Sequence, residues 1–302
     1  MSSLAVEFLG ISMKNPLIGA SGTFGYGLEM ADYLDLNQVG AISGKGVSPK
    51  PWSGNAGIRT TETPSGMLNC IGLENPGAEV LIKDILPKLH AYDVPFIANM
   101  VGRTVEEYGE CARLLSVPGI DALEINISCP NVKNGGAVFG TDPVQAAAVT
   151  RMVKDHTHLP VMVKLSPNVT DIVSIAKAVE AAGADGISLI NTLLGMAIDA
   201  KTRRPVLGNI TGGLSGPAVK PIALRMVWQV SRAVQIPVSG MGGICSGTDV
   251  VEFMLAGART VQIGAATVTS PDALARIARE LDEWCEENHV SDVNELVGAL
   301  KI

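Results

Sequence analysis

Aromatic side chains are scarce in this sequence, at 4% of 302 residues, and charged residues are few, at 18%. The core therefore has to be filled by aliphatic and small residues. The 33 glycines suit close helix-on-sheet packing and tight turns. So little charge means that much of the surface is uncharged or covered, and a partner subunit is one way to cover it. Cysteine is sparse as well: Cys70, Cys111, Cys129, Cys245 and Cys285 form no CxxC pair and no metal-ligand spacing, which fits free thiols in a reducing cytosol. The net charge is −7, with no basic stripe or arginine-rich arm, so nucleic acid is not an expected partner. No run of about 18 apolar residues exists, so no membrane span is expected. The first ten residues lack a basic segment followed by a long apolar one, so no signal peptide is expected, and a cytoplasmic location is the expectation.

What the sequence does contain is a regular alternation. Short aliphatic runs predict strands at Asn15–Ser21, Ala41–Gly46, Pro95–Val101, Ala122–Ser128, Val161–Ser166, Gly186–Asn191, Ile236–Gly240 and Thr260–Gly264. Most are apolar throughout rather than alternating, as strands buried on both faces of a parallel sheet are. Helical patterns lie between them. Thr170 is the candidate cap of a helix with an apolar face of Ile172, Ile175, Ala176 and Val179, which Gly183 ends. Ser270 and Pro271, like Asp142 and Pro143, read as an N-cap and a first helical residue. Val39-Gly40-Ala41, Ala182-Gly183-Ala184 and Ala256-Gly257-Ala258 repeat a helix-end, glycine, strand-start unit. Eight such units predict an α/β fold, a TIM (β/α)8 barrel, as one domain over residues 1–302. A doubly wound open sheet would carry a glycine-rich dinucleotide fingerprint after the first strand, and Gly19-Ala20-Ser21-Gly22 lacks that spacing. Two long glycine- and proline-rich stretches, residues 49–76 and 193–217, follow strand C-termini, the end where a barrel keeps its active site.

The polar residues at those strand ends are the candidate site. Lys45, Asn99, Asn126, Lys164, Asn191 and Thr192 converge on one pocket if the barrel closes, and two lysines with several amides suit a planar, anionic, amide-rich ligand. Ser239-Gly240-Met241-Gly242-Gly243 and Gly264-Ala265-Ala266 follow the last two strands, where barrels often build a phosphate site, although tight βα turns also need glycine. Gly216 before Pro217 offers another helix N-terminus. A lone cysteine in an apolar run is usually a buried hydrophobe. Cys129 differs, because it follows a strand end and leads into a glycine-rich segment, where a thiol can serve as base or nucleophile, whereas Cys70, Cys111, Cys245 and Cys285 lack this setting and read as structural. For Lys45 and Lys164 two other readings stand open: a lysine that reaches to solvent, and a Schiff-base lysine. His90, His156, His158 and His289 fall in or beside helices and read as surface residues, and no metal site is expected.

Three segments resemble the family 1 dihydroorotate dehydrogenases: Met67-Leu68-Asn69-Cys70-Ile71-Gly72-Leu73-Glu74-Asn75-Pro76-Gly77, Asn126-Ile127-Ser128-Cys129-Pro130-Asn131, and Asn191-Thr192-Leu193-Leu194-Gly195-Met196 with Gly212-Gly213-Leu214-Ser215-Gly216. The likeness runs from about Leu4 to the last helix. It implies an FMN enzyme that oxidises dihydroorotate to orotate in pyrimidine biosynthesis, with Cys129 as the base. It implies that Lys45, Asn69, Cys70, Ile71, Gly72, Leu73, Asn126, Asn131, Asn191 and Thr192 hold the substrate. It implies FMN contacts at Ala20, Ser21, Lys45, Gly46, Asn99, Asn126, Lys164 and Ile190, and a phosphate cradle at Gly216, Gly242, Gly243, Gly264 and Ala265. Cys70 departs from the smaller residue usual at its position and is read as an alanine-like substitution.

Asn131-Val132-Lys133-Asn134-Gly135-Gly136 and the stretch from Leu193 to Gly216 resemble the B subtype. That subtype pairs the FMN chain with an electron-transfer subunit carrying FAD and a 2Fe–2S cluster, passes electrons to NAD, and assembles as a heterotetramer around a catalytic homodimer. The fumarate-reducing A subtype, the related dihydropyrimidine dehydrogenase barrel, a flavin-free Schiff-base lyase and a non-catalytic phosphate-binding scaffold are the other readings.

Overall fold

The computed structural model describes residues 3–128 and 139–302. Eight parallel strands close into a barrel: β1 (Leu17–Gly19), β2 (Ala41–Ser43), β3 (Phe96–Met100), β4 (Ala122–Asn126), β5 (Val161–Lys164), β6 (Gly186–Leu189), β7 (Val238–Met241) and β8 (Thr260–Ile263). Each strand pairs with the next in sequence, and β8 pairs with β1. All eight predicted strands are the barrel strands, each shorter than expected, with the seventh also running one residue past Gly240. The reason they read as unbroken apolar runs is that both faces are buried: β3, β4, β5 and β7 are buried at every residue. A βαβ crossover covers the outside with helix and the inside with side chains from other strands.

Helices follow most strands. Val105–Leu115 is capped by Thr104, whose side chain accepts from Glu107 N. Pro143–Lys154 starts as expected, with Asp142 accepting from the N–H groups of Val144 and Gln145. Two expected caps are corrected. The helix Ile172–Ala181 is capped by Asp171, not Thr170. It begins at Ile172, one residue later than a Thr170 cap implies, and the Asp171 carboxylate takes the N–H groups of Val173 and Ser174. The last long helix, Ala273–Glu287, starts beyond Ser270 and Pro271. Ser270 already ends the short helix Ala266–Thr269, and its hydroxyl donates to Asp272 at 2.6 Å.

At the N-terminal end of the barrel, an antiparallel hairpin of Val6–Phe8 and Ile11–Met13 sets Phe8 and Leu9 against Gly186 at the start of β6. At the other end, the two long stretches expected as loops fold together. Strands Thr60–Thr63 and Gly66–Asn69 from the first, with Leu193–Met196 and Thr211–Ser215 from the second, make one four-stranded antiparallel sheet. Its own small core is Leu68, Cys70 and Leu207. Alternation was hard to see in these strands because glycine and threonine occupy many of their positions. All four histidines are exposed.

Candidate functional site

The inward faces of β2, β3, β4, β6 and β8 supply the floor of the site. Residues two apart on a strand share a face, so Glu124 and Asn126 of β4 both point into the barrel. Glu124 is fully buried. A buried carboxylate is tolerable only when paired and hydrogen-bonded, and four strands serve this one. Its Oε2 accepts from Ser43 Oγ at 2.8 Å and Asn99 Nδ2 at 2.6 Å. Its Oε1 accepts from Ser188 Oγ at 2.6 Å and Gln262 Nε2 at 2.8 Å. Burial by itself raises the carboxyl pKa. The positive charge of Lys164 and the bonds from Ser188, Gln262 and Ser43 outweigh it and hold Glu124 below its ordinary value.

Above the carboxylate lies a chain of amides. Asn126 Nδ2 donates to Asn99 Oδ1 at 3.4 Å, a long contact. Asn126 Oδ1 accepts from the backbone N–H and hydroxyl of Ser128 at 3.3 and 3.0 Å. Ser128 Oγ accepts from Asn191 Nδ2 at 2.8 Å, and Asn191 Oδ1 accepts from Thr192 N at 2.7 Å. Lys164 is buried and donates to Ser21 Oγ at 3.1 Å.

These groups line a cavity of about 440 Å³ at the C-terminal end of the barrel. The four-stranded sheet contributes Thr60, Met67, Asn69 and Ser215, and the segment after it contributes Ile71, Gly72 and Leu73. Asn69 Nδ2 lies 3.4 Å from Gly213 O in the neighbouring strand. Arg59 and Glu74, paired at 2.5 Å, stand at this rim. The Arg59 hydrogen bond and charge hold the Glu74 carboxyl below its ordinary range.

The same cavity is also lined by a glycine cradle of Gly216, Gly242, Gly243, Gly264 and Ala265, which follow β7, β8 and the strand Thr211–Ser215. Gly243 has φ +76, and a Cβ there would stand 2.8 Å from Gly216 O and 2.9 Å from Lys220 N, so only glycine fits. Two helical starts meet at the cradle: Pro217–Val219 running into Lys220–Ser231, and Ala266–Thr269. The first N–H groups of a helix lack intrahelical acceptors and favour an anion. Lys220 is engaged elsewhere, bridging Asp249 at 2.5 Å and Glu252 at 2.7 Å. Burial lowers the Lys220 pKa, but its two carboxylates more than reverse this, and it is raised overall. Asp249 is pushed up by burial and pulled down further by Lys220 and by the N–H groups of Cys245 and Ser246, so it is lowered overall. This ion cluster braces the turn from Gly242 to Ser246.

The structure brings together Ala20, Ser21, Lys45, Gly46, Asn69, Ile71, Gly72, Leu73, Asn99, Asn126, Lys164, Ile190, Asn191, Thr192, Gly216, Gly242, Gly243, Gly264 and Ala265 on one cavity. Cys70 stands apart from its neighbours: its side chain is fully buried in the small core under the sheet, and it is not among the residues lining the cavity. Strand alternation turns it away from the face that Asn69 and Ile71 share. Cys129 and Asn131 lie outside the described residues. Sequence reading saw Glu124 on its strand but gave it no role, and it missed Gln262, although their spacing of two from Asn126 and Gly264 marks both as inward-facing. It also read Cys245 as structural, whereas Cys245 lines the cavity beside the cradle.

Fold and site together define a (β/α)8 barrel protein whose pocket combines a polar, lysine-bearing floor with an anion cradle. The family model described as dihydroorotate dehydrogenase matches residues 3–284. Relatives named dihydroorotate dehydrogenase B (NAD(+)), catalytic subunit, include one from Geobacter sp. (strain M21), 56% identical over 300 residues that cover 99% of this chain and 98% of the relative. A second, from Geotalea daltonii, is 57% identical over 300 residues with the same coverage. A third, from Desulforudis audaxviator, is 56% identical over 296 residues, covering 98% and 96%. The chain belongs to the dihydroorotate dehydrogenase family.

Proposed function

We propose that this chain is the FMN-carrying catalytic subunit of a B-type dihydroorotate dehydrogenase, oxidising (S)-dihydroorotate to orotate in pyrimidine biosynthesis. The observation that carries the reading is one cavity lined by two lysines, four asparagines and a glycine cradle. Such a cavity matches a flat, imide-edged ring with a phosphate tail. The cradle passes a steric test, since the Cβ that Gly243 lacks would close the space against Gly216 and Lys220. Gly216, Gly242, Gly243, Gly264 and Ala265 would hold the phosphate of FMN, and Ala20, Ser21, Gly46, Asn99, Lys164 and Ile190 would surround its ring and chain.

FMN, when bound, supplies the hydride acceptor that no side chain offers. The chain's own residues do the rest. Lys45 neutralises the carboxylate of dihydroorotate. Asn69, Asn126, Asn131, Asn191 and Thr192 pair with its amide edges, and Ile71, Gly72 and Leu73 pack beside it. Cys129, next in sequence to Ser128, takes the C5 proton as C6 gives up hydride. Lys164 stands by with a positive charge for the negative charge that develops.

On this reading, a partner subunit carrying FAD and a 2Fe–2S cluster relays the electrons to NAD. The assembly is a cytoplasmic heterotetramer around a homodimer of this chain, which acts as one domain over residues 1–302. Among the described residues, no helix is long and apolar enough to cross a membrane. The test is steady-state turnover of dihydroorotate by the purified chain, with and without its electron-transfer subunit, against NAD and against fumarate. NAD reduction that requires the partner is the expected result. Fast fumarate turnover by the chain alone would reject the B-type assignment.

A further inference from the structure

Glu124 is fully buried, and it is the point at which the polar floor ends. The hydrogen bonds above it run in one direction. The Ser128 backbone N–H is a donor only, so Asn126 must present Oδ1 to it and Nδ2 to Asn99. Asn99 must then present Oδ1 to Asn126 and Nδ2 downward. That downward donor needs an acceptor, and Glu124 Oε2 is the acceptor. Gln262 is fixed from the same side. Its Nε2 donates to Glu124 Oε1, so its Oε1 is turned the other way. Gln262 is 1% exposed, lines the cavity, and its Oε1 is buried without a partner among the described residues. An unpaired buried acceptor at a cavity wall is a cost that a bound donor removes. With four donors around its two oxygens, Glu124 has no role for a proton of its own.

We propose that Glu124 is the positioning residue of the site, acting through Asn99 and Gln262 so that Gln262 presents a carbonyl acceptor to a ring N–H of the bound cofactor. The assignment rests on the FMN reading above and adds two residues to it, one contacting the cofactor and one beneath it. An amide at position 124 would turn an N–H₂ toward two donors, so that either Asn99 or Gln262 loses its partner or turns over. The buried negative charge under the ring would vanish at the same time.

The test uses the full chain, stripped of FMN and retitrated, with flavin fluorescence reporting affinity and potentiometry reporting the flavin midpoint potential. E124Q is expected to bind FMN about tenfold or more weakly, the loss typical of an unpaired buried hydrogen-bonding group. Its midpoint potential is expected to shift positive, because a nearby negative charge no longer opposes reduction. A purely structural role would move affinity without that signed shift. Gln262→Leu separates the two effects: FMN affinity falls by a similar factor, and the potential stays close to wild type because the Glu124 charge remains. Wild-type affinity in Q262L, or an unshifted or negative potential in E124Q, would overturn the proposal. If E124Q does not fold, Q262L decides alone. If neither folds, the pair determines folding rather than positioning, which also overturns it. Neither measurement uses dihydroorotate. A wild-type chain that takes up FMN but is not reduced by dihydroorotate refutes the proposed function and leaves this inference standing.

Discussion

At the scale of single residues, the lysines and amides were legible because each stands where a strand ends and polarity is otherwise unexplained. Lys45, Asn99, Asn126, Lys164 and Asn191 all line the cavity. Cys70 shows the opposite limit. The motif places it among substrate contacts, but alternation along Gly66–Asn69 and beyond turns its side chain into the core with Leu68 and Leu207. Glu124 stayed hidden because a carboxylate in a buried strand looks like a misfit until its four donors from other strands are seen, and sequence does not show which strands face each other. Two substitutions test the residue roles. Cys129→Ala should bind FMN normally while dihydroorotate oxidation at neutral pH falls by about 10²–10⁴-fold, the usual contribution of a general base; rapid-mixing kinetics of flavin reduction would check this, and normal reduction would remove Cys129 from the base role. Lys164→Ala should slow flavin reduction by about 10²-fold or weaken FMN binding, the scale expected when a preorganised charge is lost. Unchanged rate and affinity would contradict its placement.

At the scale of elements, the strands were legible and the excursions were not. Aliphatic runs identify β1 to β8 because burial on both faces leaves little choice of side chain. The stretches 49–76 and 193–217 read as loops because their strand pairing is between two distant segments, Gly66–Asn69 with Thr211–Ser215. Cap positions slipped by a residue or more where a neighbouring acceptor or helix end competed, as with Asp171 and Ser270. The cradle is the element whose stability is most open to test. Asp249, with its pKa lowered in the folded chain, contributes stability that is present above its unfolded pKa of about 3.9 and is lost as pH falls through the folded value. Lys220, with its pKa raised, contributes stability that is present below about 10.4 and is lost as pH rises through its folded value. The contribution of this ion cluster to the melting temperature should therefore hold a plateau between these limits. Asp249→Asn should lower that plateau and blunt its acid edge, which calorimetry across pH would detect. Gly243→Ala should cost more than ~1 kcal/mol, from a positive φ and a crowded Cβ, and should release FMN; a variant as stable and as flavin-loaded as wild type would contradict the cradle.

At the scale of the whole molecule, a closed barrel gathers side chains from strands more than a hundred residues apart around one carboxylate and one cavity. Gln262 and Glu124 are neighbours only because β8 and β4 face each other across the interior. That closure was implied by eight repeated units in the sequence, and it is what turned scattered lysines, amides and glycines into a site. The most direct test of the account is anaerobic mixing of the purified, FMN-loaded chain with dihydroorotate, followed by flavin absorbance. The account predicts that one equivalent bleaches the flavin and releases orotate without any partner subunit. A flavin that stays oxidised, or a chain that takes up no FMN at all, would contradict it.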